Sequence, residues 1–149
     1  MRLIYFLMMI VITATACKKS GSDQTYSDFS TYGPFAGVWI EVSGLKDTLN
    51  FNISQNMLEQ VPWRPPSNAG IFIMGSEKYK SADGSDKSPA GLYSYYRQSD
   101  SLYLYNFYSS ASKYTGFRFQ LSDDKTSLSI DRFFDRPGLG DVVRFQRIR

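Results

Sequence analysis

The sequence predicts an all-β domain, an eight-stranded antiparallel up-and-down barrel that follows a signal peptide and a flexible linker. Three observations predict it. Aromatic residues make up 16% of the 149 residues, with 11 Tyr and 11 Phe, and both types favour the pleated, half-buried surface of a strand. From Phe35 onward, β-rich runs recur with turn residues between them, several alternating apolar and polar with period 2. No long amphipathic helical pattern, internal repeat or second domain interrupts those runs.

The first segment, residues 1–16, reads as a signal peptide. Arg2 supplies a positive start, and Leu3 to Ile12 is an unbroken apolar run. That run suits a signal-peptide core and is too short to span a membrane as a helix. Ala14-Thr15-Ala16-Cys17 follows at once. Small residues before a cysteine resemble a lipobox, which implies cleavage before Cys17, lipidation of its thiol and acylation of its new amino group. Each buried methylene contributes about 0.8 kcal/mol, so two or three chains anchor stably where one would not. The linker, 17–34, is rich in Ser, Thr, Gly and Asp. Only Asp23 and Asp28 stand where surface-exported lipoproteins carry an acidic run. The expected location is therefore the outer membrane, lipid-anchored and facing the periplasm.

The domain, 35–149, is read as a meander. Val38 to Ser43 is the first run, closed by a turn at Gly44-Leu45-Lys46-Asp47. In the second, Thr48 to Ser54, Leu49, Phe51 and Ile53 alternate with Asn50, Asn52 and Ser54. Residues 55–68 break the rhythm: Met57 to Val61 suits a short helical turn, stopped by Pro62, Pro65 and Pro66. Gly70 to Gly75 is the third run, and the polar stretch from Ser76 to Pro89 is a mobile loop. Gly91 to Arg97, Leu102 to Tyr108, Tyr114 to Leu121 and Ser127 to Phe133 follow as strands. Asp135 to Gly140 is a turn cluster, and Val142 to Ile148 is the last strand. Closure into a barrel removes the edges that an open sheet leaves unpaired; a two-sheet sandwich is the alternative.

The Gly37-Val38-Trp39 opening of the first strand resembles that of lipocalin-like, or calycin-type, barrels, and many small Gram-negative lipoproteins look like this chain. The resemblance covers residues 35–149. It implies that Trp39 closes one end of the barrel and that a basic residue of the last strand packs across its indole. Alternation places Val143, Phe145 and Arg147 on one face. With Phe145 inward, Arg147 is the partner of Trp39. Gly37 is expected to leave room for a close approach.

The chemistry available is narrow. The chain carries 17 basic and 14 acidic residues, net +3, interspersed and without a basic stripe, so nucleic acid is a poor partner. There is no histidine, and the one cysteine is Cys17. The commonest general base and metal ligand are thus missing, as are a disulfide and the common nucleophile–base pairs. No catalytic residue, metal site or cofactor is expected. Glu41 shares a face with Trp39, and a buried carboxylate there needs an Arg or Tyr partner. Tyr93, Tyr95, Tyr103 and Tyr105 lie on neighbouring strands and suit either packing or a concave apolar site. These five are the candidate ligand-binding residues. Trp63, in the Pro-rich loop, is a candidate contact for a protein partner. The expected function is a membrane-anchored barrel that binds a small apolar or amphipathic ligand without catalysis. The alternative is an envelope interaction module or hydrolase inhibitor working through its loops.

Overall fold

A computed structural model describes residues 33–53, 66 and 68–148. The expected signal peptide, Cys17, most of the expected linker, and the 57–65 stretch with Trp63 lie outside the described residues. Among those described there are ten strands and no helix. They are β1 (Val38–Glu41), β2 (Asp47–Asn50), β3 (Gly70–Ser76), β4 (Tyr79–Lys80), β5 (Asp86–Lys87), β6 (Gly91–Gln98), β7 (Ser101–Asn106), β8 (Thr115–Leu121), β9 (Ser127–Asp131) and β10 (Val142–Arg147).

Eight of the strands close an antiparallel barrel in the order β1-β10-β9-β8-β7-β6-β3-β2, and β4 with β5 forms a separate hairpin. Each barrel strand pairs with the barrel strand before and after it in sequence, and β1 with β10 closes the ring. Period 2 sets the faces. Trp39, Leu49, Phe72, Met74, Leu102, Leu104, Leu128, Ile130, Val143 and Phe145 are buried. Their neighbours Val38, Asn50, Ile73, Tyr103, Ser129 and Arg144 are not. Burying a side chain of the size of Leu or Phe contributes about 1.5–3 kcal/mol.

The strands alternate direction, so the connections separate into two ends. The base holds residues 33–37, 51–53 and 68–69, and the tight turns at 99–100 and 122–126. The mouth holds 42–46, 77–90, 107–114 and 132–141.

The base is knit around Trp39, which is fully buried. In the β1–β10 ladder Trp39 stands opposite Arg147, and Glu41 opposite Phe145. The Arg147 guanidinium lies over the indole, 4.8 Å from the ring centroid. Trp39 Nε1 donates to the Phe35 carbonyl at 2.8 Å, and Arg147 donates to the Pro34 carbonyl at 3.2 Å. Residues 34 and 35 are thereby drawn across the base. Phe35 then packs on Phe51, Tyr95 and Phe119 with ring centroids 5.3–5.9 Å apart.

The structure gives Gly37 a backbone reason. Its φ of +123° is one that side chains rarely adopt, and its N–H donates to Asn52 Oδ1 at 2.8 Å. A close approach occurs at Gly70, where an added Cβ would meet the Tyr95 ring at 2.7 Å.

Several strands stop short of the expected bounds, each for a local reason. The β2 ladder ends at Asn50, whose Oδ1 takes the Asn52 N–H. β7 ends at Asn106, whose side chain takes the Tyr108 N–H and whose carbonyl takes that of Ser109. β9 ends at Asp131, beyond which the chain crosses the mouth. The polar stretch from Ser76 to Pro89 is ordered into the β4–β5 hairpin, with Asp83 accepting from Ser81 and Ser85 in its turn.

The base makes a test of the seam. Arg147→Ala removes a cation–π contact and a packed side-chain stem, and should lower stability by about 1–2 kcal/mol. Arg144 is exposed, and Arg144→Ala should change stability by no more than about 0.5 kcal/mol. Denaturant melts of the two variants compare them; a damaging Arg144→Ala with a silent Arg147→Ala would contradict the assigned faces.

Candidate functional site: the barrel mouth and a tyrosine-bearing outer face

The candidate residues do not gather in one place. Tyr93 and Tyr95 point inward from β6 and are buried, whereas Tyr103 and Tyr105 point outward from β7. The register explains the separation: Tyr95 stands opposite Leu104, and Tyr103 opposite Tyr96. Leu102 and Leu104 take the inward positions of β7, so the tyrosines between them face out. A concave site lined by all four tyrosines is therefore not formed.

The interior between base and mouth is filled. Tyr93 stacks on Phe72 at 4.9 Å and 6°, while Tyr95 meets Phe51 edge-on at 5.2 Å. Burial pushes the Tyr95 phenol up to about 12. Burial also raises Tyr93, and the hydrogen bond from Asn106 opposes that shift. Eight strands leave an interior just wide enough for side chains or one small ligand; here side chains occupy it.

Glu41 is buried but needs neither arginine nor tyrosine. Its Oε1 accepts from the backbone N–H and hydroxyl of Ser43, and its Oε2 from the Gly44 N–H at 2.8 Å. Burial alone would raise its pKa. Hydrogen bonds from the Ser43 hydroxyl and from the N–H groups of Gly44, Ser43 and Leu45 outweigh that and hold it below the ordinary value of 4.5. Both oxygens are thus engaged in the turn after β1. The turn presents Leu45 in the left-handed region, φ 56°, with its side chain exposed.

The buried arginine that sequence reasoning sought beside Glu41 goes to Asp47 instead. Arg136 sits in the 132–141 segment, which folds over the mouth as a lid. Its Nε lies 2.7 Å from Asp47 Oδ2 and its Nη2 lies 2.9 Å from Asp47 Oδ1. Nη2 also donates to Ser76 Oγ and to the Glu77 carbonyl, and the guanidinium lies 5.3 Å from the Tyr79 ring centroid. Asp47 is fully buried and the Arg136 side chain is 8% exposed. Beside this pair, Phe134 is buried and Phe133 packs on Tyr93 at 5.6 Å and Phe117 at 5.9 Å.

Sequence reasoning placed Asp47 in a turn and Arg136 in a turn cluster. Two signals pointed to them: Asp47 continues the period-2 series of Leu49 and Phe51, and an aromatic pair precedes Arg136.

Of the recesses at the mouth, two are walled by candidate residues. One, about 170 Å³, lies between the lid and the β7–β8 connection, with Tyr93 and Phe133 in its wall. The other, about 400 Å³, lies beside Arg136 and Lys46, with Glu41 in its wall.

The outside of the barrel is divided. On β9 and β10 the outward positions are Ser127, Ser129, Asp131, Val142, Arg144 and Gln146. On β6, β7 and the connection to β8 they carry rings. Tyr96 stacks on Tyr103 at 4.9 Å and 6°, and Tyr114 meets Tyr96 at 5.0 Å and Tyr105 at 5.6 Å. Tyr103 lies against Gly116, where an added Cβ would meet its ring at 3.2 Å. The Tyr114 and Ser94 hydroxyls are 2.9 Å apart. Phe107 packs on Tyr105 at 5.5 Å, and Tyr108 projects, 76% exposed.

Comparison of the chain with family models, with characterised proteins and with solved structures found no match. Among the described residues, no group of His, Cys, Asp and Glu is placed to hold a metal ion.

The Glu41 turn gives a pH dependence. Its folded pKa is depressed, so its contribution to stability is present above the unfolded value, near 4.5, and is lost as pH falls through the folded value. The stability difference between wild type and Glu41→Gln should be constant at neutral pH and shrink on acidification below about 4.5. Thermal melts from pH 7 to pH 3 measure it, and a difference that does not change with pH would contradict the assignment.

Proposed function

We propose that the chain is a lipid-anchored, non-catalytic binding protein of the periplasm-facing outer membrane. In this reading acyl chains on Cys17 hold it there, and a lipocalin-like barrel serves as a rigid support for contacts made on its outside. It acts as an interaction module for another envelope protein. One observation carries the reading: the interior is filled by the chain's own side chains, while a cluster of rings stands outside it on β6, β7 and the connection to β8.

Tyrosine supplies a large amphipathic contact area at low conformational cost, and Ser, Gly and Asn add adaptable hydrogen bonding. The stretch Asn106-Phe107-Tyr108-Ser109-Ser110-Ala111-Ser112 has this composition. Tyr is enriched where interfaces concentrate their binding energy. The opposite outer face, with its Ser, Arg and Gln residues, offers no comparable cluster.

The 170 Å³ mouth recess favours a second reading, a binder of a small apolar or amphipathic ligand. Of the candidate ligand residues, Tyr93 alone lines that recess; Tyr95 is a packing residue, and Tyr103 and Tyr105 belong to the outer cluster.

Site-specific photo-crosslinking in cells tests the interaction reading. A crosslinker at position 103 should give a discrete protein adduct in the membrane fraction, and one at position 146 should not. In the Cys17→Ser chain, the protein should leave the membranes after a high-salt wash and the adduct should be lost. No adduct from position 103, or equal adducts from both positions, would contradict the reading.

A further inference from the structure

The mouth recess between the lid and the β7–β8 connection has a specific chemical character. Its floor is apolar, made by the Leu104 side chain and the rings of Tyr93, Phe117 and Phe133. These rings are held in place. Phe133 meets Tyr93 at 5.6 Å and Phe117 at 5.9 Å, both edge to face, and Tyr93 is stacked on Phe72 behind it. The floor is thus formed in advance of any ligand.

Two polar groups in the wall are already engaged. Asn106 Nδ2 donates to the Tyr93 hydroxyl at 3.1 Å, and Asn106 Oδ1 takes the Tyr108 N–H at 2.9 Å. The rim supplies the groups left to meet a ligand. Ser109 Oγ accepts the Ala111 N–H at 3.1 Å, which leaves its own proton to donate. Thr115 adds a second hydroxyl. Lys113 is the one charged residue lining the recess, and it forms no ion pair with a described residue.

We propose that this recess binds a small monocarboxylic acid with a compact apolar body, such as a single ring or a short branched chain, its carboxylate on Lys113 and its body on Phe117 and Phe133. The inference rests on the second reading above and names the ligand class for it.

Size and charge both lead there. An apolar cavity of about 150 Å³ takes a benzene-sized molecule, and the recess measures about 170 Å³. Leu104 and the packed interior behind it close the floor, so a long acyl chain has nowhere to extend. One ammonium group and two hydroxyls match a single carboxylate. A dianionic phosphate would leave charge uncompensated beside an apolar floor, and an amine would face Lys113 with like charge.

Titration calorimetry of the purified full-length chain at low ionic strength tests this, using phenylacetate, 3-methylbutanoate and the neutral phenylacetamide. Both acids should bind saturably, and the amide about two- to fivefold more weakly, the range of an exposed ion pair. Lys113→Gln, at an exposed position, should bring phenylacetate down to the level of the amide. Ala111→Leu fills the recess from the connecting segment without touching the core and should abolish binding of all three.

Equal binding of acid and amide by wild type would overturn the ligand class while leaving the recess as a binding site. No saturable binding by folded wild type would overturn both the class and the second reading, without bearing on the outer-face interaction. Binding that survives Ala111→Leu would place the site elsewhere and overturn the proposal.

Discussion

Closure of the barrel depends on β1, a strand of four residues that must pair with β2 on one side and β10 on the other. So short a strand gives few ladder hydrogen bonds, and the side chains of the seam carry the rest. Trp39 fills the space at the base, Arg147 lies across its indole, and hydrogen bonds to the carbonyls of Pro34 and Phe35 fasten the incoming chain there. With β1 in place no barrel strand is left with a free edge. The inward side chains of all eight strands then meet in one core without a disulfide, since Cys17 is the chain's one cysteine.

The two ends are finished by different physics. At the base, aromatic rings and a cation–π contact do the packing. At the mouth, a buried ion pair joins the lid to β2, with Ser76 Oγ and the Glu77 carbonyl also accepting from Arg136 Nη2. Desolvating such a pair offsets much of its attraction, so a buried ion pair is weak evidence of added stability. Its distinct effect is positional. Arg136 reaches partners on β2 and after β3 only with the lid in one place, and that placement sets Phe133 and Phe134 over the core.

Much of this was legible in the sequence. Period-2 alternation gave the inward series Val143, Phe145 and Arg147 and the outward Arg144, and turn residues gave the meander. The polar mouth was harder to read, because two-residue strands such as β4 and β5 have no period to detect. Glu41 and Asp47 are both inward carboxylates near the mouth, and which of them meets an arginine depends on a turn three residues long and on a contact 89 residues away. The faces of Tyr103 and Tyr105 depended on the β6–β7 register, where a shift of one residue exchanges inside for outside.

A packed core leaves the ringed outer face and the recess beside the lid as the surfaces on which the proposed contacts rest. The most direct test is methyl NMR of the full-length chain titrated with dodecanoate, an amphipathic molecule long enough to need the barrel interior. The account predicts that the methyl signals of Leu49, Leu102, Leu128, Ile130 and Val143 stay unshifted. Saturable shifts of these core methyls would show that the interior opens to ligand and would contradict it.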